Sequence, residues 1–217
     1  WADMETSEVQ ILFYGENIAA CDVSTEAEVL ITGITKTENP NYLFVTIETE
    51  GLEAGTFQFD FSKKGKKAFT RPYELKVREA GSAQRQGFDS SDAMYLLMPD
   101  RFANGNPEND SVEGLTDTYN REASGGRHGG DLQGIVAHLD YLEDLGVTTI
   151  WSTPLLEDND PGYSYHTYAQ SDVYKIDPRY GTNADYRKLA DQLHKREMKL
   201  VMDYVTNHWG AEHWMIK

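Results

Sequence analysis

Cysteine is nearly absent from this chain of 217 residues. Cys21 is the only one, so no intrachain disulfide framework can form. No run approaches the ~20 apolar residues of a membrane-spanning helix, so no membrane partner is expected. Basic charge is scarce as well: 20 Lys and Arg stand against 36 Asp and Glu, a formal net charge of −16. Nucleic-acid binders draw much of their affinity from neutralising phosphates, so nucleic acid is excluded as a generic partner. A neutral or cationic partner, or a divalent cation, suits such a surface better. There is no Gly-rich phosphate loop, no G-x-S-x-G elbow and no C-x-x-C pair. His208 and His213 are spaced wrongly for the paired histidines of a zinc-protease helix. Internal repeats and low-complexity tracts are missing too. What remains, 39% hydrophobic and 26% charged, is a folding composition, and its length fits one large domain or two small ones. The chain opens at Trp1 rather than Met, which reads as a processed or cut end. With the lone cysteine and the acidic surface, it leads to an expectation of the bacterial periplasm or exterior.

The first third carries period-two patterns. Leu43, Val45 and Ile47 alternate with Phe44, Thr46 and Glu48; Phe57, Phe59 and Phe61 with Gln58 and Asp60; Tyr73, Leu75 and Val77 with Glu74, Lys76 and Arg78. Such alternation predicts half-buried antiparallel strands. Ile11–Tyr14 and Val29–Ile31 are shorter candidates. Gly65, within a lysine-rich turn, is expected to supply a positive φ. These strands predict a small all-β sandwich over residues 1–80. Residues 81–92 are polar and read as a linker.

From residue 93 to 217 the pattern is β/α. Met94–Met98 is a continuous apolar run, as in a buried parallel strand, and Val147–Trp151 and Leu200–Val205 read as a second and a third strand. Between the first two, Ile135, Leu139, Leu142 and Leu145 recur at helical spacing, with Gly146 at the C-terminal cap. Before the third, Asn183 is the expected N-cap of a helix carrying Tyr186, Leu189, Ala190 and Leu193. Parallel β/α architecture follows, with the long loops after the strands as the place for a site.

Three constellations could carry chemistry. Asn104, Asn106, Asn109 and Asp110 crowd a loop broken by Gly105 and Pro107, and Gly129 and Asp131 come later. Calcium takes about six to eight oxygen ligands of this mixed kind. Asn, Gly, Pro and Asp also gather in turns for backbone reasons, and from spacing alone the plain turn is the leading account. Tyr163–Tyr168 is aromatic-rich around His166; it could stack on sugar rings, or its tyrosines could pack onto the strands below. Asp203, Asn207 and His208 follow the third strand, either pointing into a site or bracing the strand end.

In their order, MYLLMPDRFANGNPENDS, GGDLQGI, GVTTIWSTPLLE, YSYHTYAQSDVYKIDPRYGT and KLVMDYVTNH resemble the α-amylase family of glycoside hydrolases. The resemblance is to its cyclomaltodextrinase and neopullulanase branch, whose members place a β-sandwich before the barrel. It implies the first three β/α units of a (β/α)8 TIM barrel after that sandwich. It also implies Ca²⁺ at Asn104, Asn106, Asn109, Asp110, Gly129 and Asp131, in place of a turn alone. His166 and Tyr168 match the pair at the −1 sugar subsite, with Thr167 where the family has Gly. Asp203, Asn207 and His208 match the first signature motif, in which the Asp braces the constellation and the His binds the −1 sugar.

The family's nucleophile, acid/base and transition-state-stabilising carboxylates lie on later strands. The resemblance therefore implies no catalytic residue in this chain, which reads as cut after strand three. Its barrel portion is about half of the ~250 residues of a whole barrel. The implied function is the N-terminal part of a retaining α-glucan hydrolase cutting α-1,4 bonds of cyclodextrins, pullulan or maltooligosaccharides. The alternative is a non-catalytic carbohydrate-binding or calcium-stabilised structural fragment. Partners implied are α-glucan oligosaccharides and a second copy of the chain, since some relatives set the sandwich against a neighbour's cleft in a homodimer.

Overall fold

The computed structural model describes residues 1–64 and 66–217, in two compact units, Trp1–Arg85 and Gln86–Lys217. The expected positive φ at Gly65 lies outside the described residues. The first unit holds strands β1 (Glu8–Tyr14), β2 (Asp22–Thr25), β3 (Ile31–Lys36), β4 (Tyr42–Glu48), β5 (Gly55–Lys63) and β6 (Lys66–Leu75). They form two antiparallel three-stranded sheets, β1-β4-β3 and β2-β5-β6. Alternation decides the register. Leu43, Val45 and Ile47 of β4 pair with Phe13, Ile11 and Val9 of β1, putting their side chains on one face. Phe57, Phe59 and Phe61 do the same on β5. The two faces meet in one core, where the Phe13 ring lies 5.3 Å from Phe59 and 5.0 Å from Phe61.

Two expectations fail here. Val77 is exposed and lies beyond the end of β6, so its place in the alternation is sequence coincidence. Val29 is buried but sits in a bend, and its strand begins only at Ile31.

The second unit contains β7 (Met94–Leu97), helix α1 (Pro99–Phe102), α2 (Leu132–Ala137), α3 (Leu139–Asp144), β8 (Thr149–Ser152), β9 (Leu156–Glu157), β10 (Asp172–Ile176), α4 (Asn183–His194) and β11 (Lys199–Met202). The strands β7, β8 and β11 form a parallel sheet with β8 central; β9 and β10 pair antiparallel apart from it. Parallel neighbours need long crossovers, and α2–α3 and α4 lie in them. Leu97, Ile150, Leu139, Leu142, Leu189 and Leu193 share one core.

Three details differ from expectation. On β7 only Leu97 is buried, because β7 is an edge strand with β8 as its one sheet neighbour among the described residues. The first helix is broken at His138 (φ −117°, ψ 17°), whose Nδ1 donates to the Gly134 carbonyl at 2.8 Å, and Leu145 is exposed. Gly146 does close it, at φ 85°, donating to Glu143 O while Val147 donates to Leu142 O. The N-cap of α4 is Thr182, not Asn183. Thr182 Oγ1 accepts from Asp185 N, and the Asp185 carboxylate accepts from Thr182 N, a complete capping box. Asn183 is already helical, and its amide instead joins Ile176 N and Tyr174 O of β10.

Thr182→Ala should lower stability by about 1 kcal/mol in urea denaturation. Phe59→Ala, which empties the centre of the sandwich core, should cost about 3–5 kcal/mol.

Candidate functional site

Polar groups collect where β8 and β11 end. Trp151 is the last residue but one of β8, and Asp203 directly follows β11. The Asp203 Oδ2 accepts from Trp151 Nε1 at 3.2 Å and from the Tyr168 hydroxyl at 3.1 Å. His208 Nε2 donates to the Tyr168 carbonyl at 3.1 Å, which leaves Nδ1 to accept from Asn207 Nδ2, also at 3.1 Å. His166 Nδ1 accepts from Tyr168 N at 3.1 Å, and the two rings are 5.6 Å apart. Asp203, Asn207, His208, His166 and Tyr168 are thus brought into one cluster from two distant stretches of chain. Burial lowers the pKa of His166, favouring neutral imidazole. Burial and then the Asp203 carboxylate raise that of Tyr168, keeping its hydroxyl a donor.

The loop carrying His166 and Tyr168 joins β9 to β10 and is not a regular element. It has one short 3-10 turn, Ser164–His166, flanked by left-handed Tyr163 (φ 63°) and Thr167 (φ 55°). Its shape comes from groups beneath it. Arg127 Nη1 donates to Ser164 O at 3.0 Å, the Tyr180 hydroxyl to Tyr165 O, and Thr167 Oγ1 to Pro154 O. Asp158 Oδ2 accepts from Ala169 N at 3.1 Å. Arg127 itself lies over the Tyr180 ring, 4.8 Å from its centre.

Below these, Asp177 is completely buried between two arginines. Its carboxylate takes Arg179 Nε at 2.9 Å and Nη2 at 2.7 Å, and Arg127 Nη1 stands 3.8 Å away. Burial opposes this charge, but the Arg179 hydrogen bonds and the two guanidinium charges outweigh it and hold the carboxyl below its ordinary range. Asp100, also buried, accepts from His128 N at 2.9 Å and faces Arg101 at 3.1 Å and Arg127 at 4.0 Å. Sequence reasoning missed Trp151, Asp100, Arg127, Asp158, Asp177, Arg179 and Tyr180. For Asp100, Asp177 and Arg179 a signal was there in Asp-Arg and Asp-Pro-Arg, charged residues close after strands, where burial demands a partner.

The oxygen-rich loop forms a second cluster. Asn104 Nδ2 donates to Asp110 Oδ1 at 2.8 Å. Gly129 (φ 85°) backs onto both; a Cβ there would lie 2.6 Å from Asp110 Oδ1. Asn109 Oδ1 is buried with no hydrogen-bond partner. Asp131 is the N-cap of α2, its carboxylate accepting from Gly134 N at 2.6 Å, Asn106 N at 2.8 Å and Gly105 N at 3.0 Å. Asn106 Oδ1 caps its own turn by accepting from Glu108 N. Among the described residues, no three His, Cys, Asp or Glu side chains gather as a metal site. An amide-rich donor set such as Asn104, Asn109 and Asp110 with a glycine carbonyl is of another kind, and the orphaned Asn109 oxygen fits an oxygen-seeking cation.

Asp177→Asn should cost about 3–5 kcal/mol, because it leaves Arg127 and Arg179 buried without their counter-charge. Since the folded pKa of Asp177 is depressed, its contribution is fully present above the ordinary carboxylate range and is lost as pH falls through the lower, folded value. The acid limb of stability against pH should therefore flatten in the variant, as read by melting at a series of pH values.

Residues 96–217 match the family model for the α-amylase catalytic domain, and residues 1–79 match that for the cyclomaltodextrinase N-terminal domain. Neopullulanase 2 of Thermoactinomyces vulgaris is 35% identical over 167 residues, 75% of this chain and 25% of that protein. Among solved structures, an Anoxybacillus α-amylase superimposes with a TM-score of 0.51 at 40% identity, over 57% of this chain and 25% of that one. The cyclic α-maltosyl-(1→6)-maltose hydrolase of Arthrobacter globiformis gives 0.50 at 32% identity, over 58% and 27%. The chain spans about a quarter of the length of these proteins. With the α-amylase model matching more than half of its length, and the cyclomaltodextrinase N-terminal model matching the first unit, this chain belongs to the α-amylase family of glycoside hydrolases.

Proposed function

We propose that this chain is the N-terminal part of a retaining α-glucan hydrolase cutting α-1,4 bonds of cyclodextrins, pullulan or maltooligosaccharides. In this reading β7, β8 and β11 are the first three strands of an eight-stranded barrel. The observation that carries it is the convergence of His166, Tyr168 and His208 around Asp203 at the carboxyl ends of β8 and β11. A partly exposed tyrosine ring offers a face to the apolar side of a sugar. With His166 Nδ1 accepting from the backbone, its Nε2–H is left to donate to a sugar hydroxyl. Glycoside cleavage passes through an oxocarbenium-like transition state, so a histidine kept neutral by burial avoids a repelling charge there. Asp203 orients the tyrosine and contributes negative charge nearby. The two carboxyl groups that do the chemistry, about 5–5.5 Å apart in retaining enzymes, come in this reading from polypeptide beyond Lys217.

Ca²⁺ belongs to the same proposal, held by Asn104, Asn109, Asp110 and the Gly129 carbonyl. Asp131 retains one unused lone pair after accepting three N–H groups, and Asn106 would join by turning its amide from Glu108. The ion would supply structural cross-linking of the loop after β7 to the start of α2, with no role in bond cleavage.

In the full-length protein, Tyr168→Ala and His208→Ala should lower kcat and kcat/KM on maltooligosaccharides together, each on the order of a hundredfold, with melting temperature nearly unchanged. Wild-type kinetics in both would remove the sugar-site assignment.

Chelator should lower the melting temperature of the full-length protein, and Ca²⁺ should restore it better than Mg²⁺, which dehydrates reluctantly. At a hundredfold excess over its dissociation constant the ion stabilises by about 2.7 kcal/mol. Asp110→Ala should abolish the response; a melting curve indifferent to chelator would return the loop to a plain turn.

A further inference from the structure

One short stretch, residues 156–160, is tied to both segments of the proposed sugar site. The Asp158 carboxylate is buried, and no Lys, Arg or His forms an ion pair with it among the described residues. Its Oδ2 accepts from Ala169 N, the residue after Tyr168, and its Oδ1 from Asp160 N, both at 3.1 Å. Asp160 Oδ1 in turn accepts from Glu212 N at 3.1 Å, in the turn that follows His208. The two segments meet backbone to backbone: a Cβ on Gly210 would lie 2.3 Å from Ala169 O. A buried carboxylate lacking a cation is costly unless its oxygens are used. Here both are, and only an ionised carboxylate can accept two N–H groups with no donor of its own. An asparagine would turn its NH2 against one of them.

We propose that Asp158 is a positioning residue, whose ionised carboxylate clasps Ala169 directly and the 209–212 turn through Asp160, holding Tyr168 and His208 in register around Asp203. This rests on the sugar-site reading above. The charged groups facing Asp158 are the Asp160 and Asp177 carboxylates and Arg179, whose guanidinium donates to the Asp158 backbone carbonyl. Burial, with smaller additions from Asp160 and Asp177, pushes the Asp158 carboxyl up to about 7. Because the folded value is raised, this group's contribution to global stability falls as pH rises from the ordinary carboxylate range towards 7. The clasp, which needs the charge, tightens over the same interval.

The test is amide hydrogen exchange at Ala169 in the full-length protein, with kinetics on maltooligosaccharides run alongside. Asp158→Asn should cut the protection of Ala169 about tenfold, the scale of one charge-assisted hydrogen bond, with the melting transition kept. In the wild type, protection at Ala169 should rise between pH 6 and 8, and KM should fall with it; both trends should vanish in the variant. Unchanged protection in Asp158→Asn overturns the proposal. Should that variant not fold, a flat protection profile at Ala169 in the wild type overturns it equally. Exchange that behaves as expected in a protein that cleaves no α-glucan would keep the clasp and remove the sugar-site reading.

Discussion

Asp177 sits at zero exposure with Arg179 at 2.7 Å and Arg127 at 3.8 Å, and two long loops of the second unit are bonded to those three side chains. Arg179 reaches the Asp117 and Asp158 carbonyls; Arg127 reaches Ser164. Asp177 also accepts from Asp158 N and Arg179 N. Two separate loops, the one before α2 at Asp117 and the β9–β10 loop at Asp158 and Ser164, are therefore fastened to one buried ion group. Each desolvated charge is a large cost alone, and the group persists because every member is compensated by another. That mutual dependence makes it a rigid floor.

The residues above this floor have a different character. His166, Tyr168, Asn207 and His208 are linked by single hydrogen bonds near 3.1 Å, and most of them face outwards. Bonds of that kind are exchangeable with a ligand's hydroxyls at little net cost. Rigid support with replaceable surface bonds is the arrangement expected of a site that must bind polar rings and release them. The orientation of Tyr168 comes less from its own contacts than from Ser164, Tyr165, Thr167 and Ala169, each tied down from below.

Periodicity made the sandwich strands around Leu43–Ile47 and Phe57–Phe61 legible, since a half-buried strand leaves a two-residue trace in the chain. The β/α order was legible from another trace, short apolar strand segments separated by apolar residues at helical spacing. Boundaries were not: Thr182 and Asn183 are both good caps, and only the reciprocal bond to Asp185 decides between them. Leu145 obeys helical spacing but falls past the last buried turn. Of the site, the residues in compact motifs stood out, whereas Trp151, Arg127 and Asp158 could not. Their roles depend on partners 52, 37 and 11 positions away, and no local pattern encodes such a pairing.

Thr167 shows what that support permits. A β-branched residue at φ 55° is disfavoured, since its Cβ crowds the following carbonyl. Glycine would relieve the crowding and is the residue expected there from the family pattern. The threonine is tolerated because it is wholly buried and its hydroxyl donates to the Pro154 carbonyl, a bond that glycine cannot make. Tyr180 holds the residue two before it and Asp158 the residue two after, so relaxing the strain would break bonds on both sides. The left-handed turn is therefore imposed by its surroundings rather than chosen by its own sequence, and it is this turn that places His166 and Tyr168 on the same side of the loop.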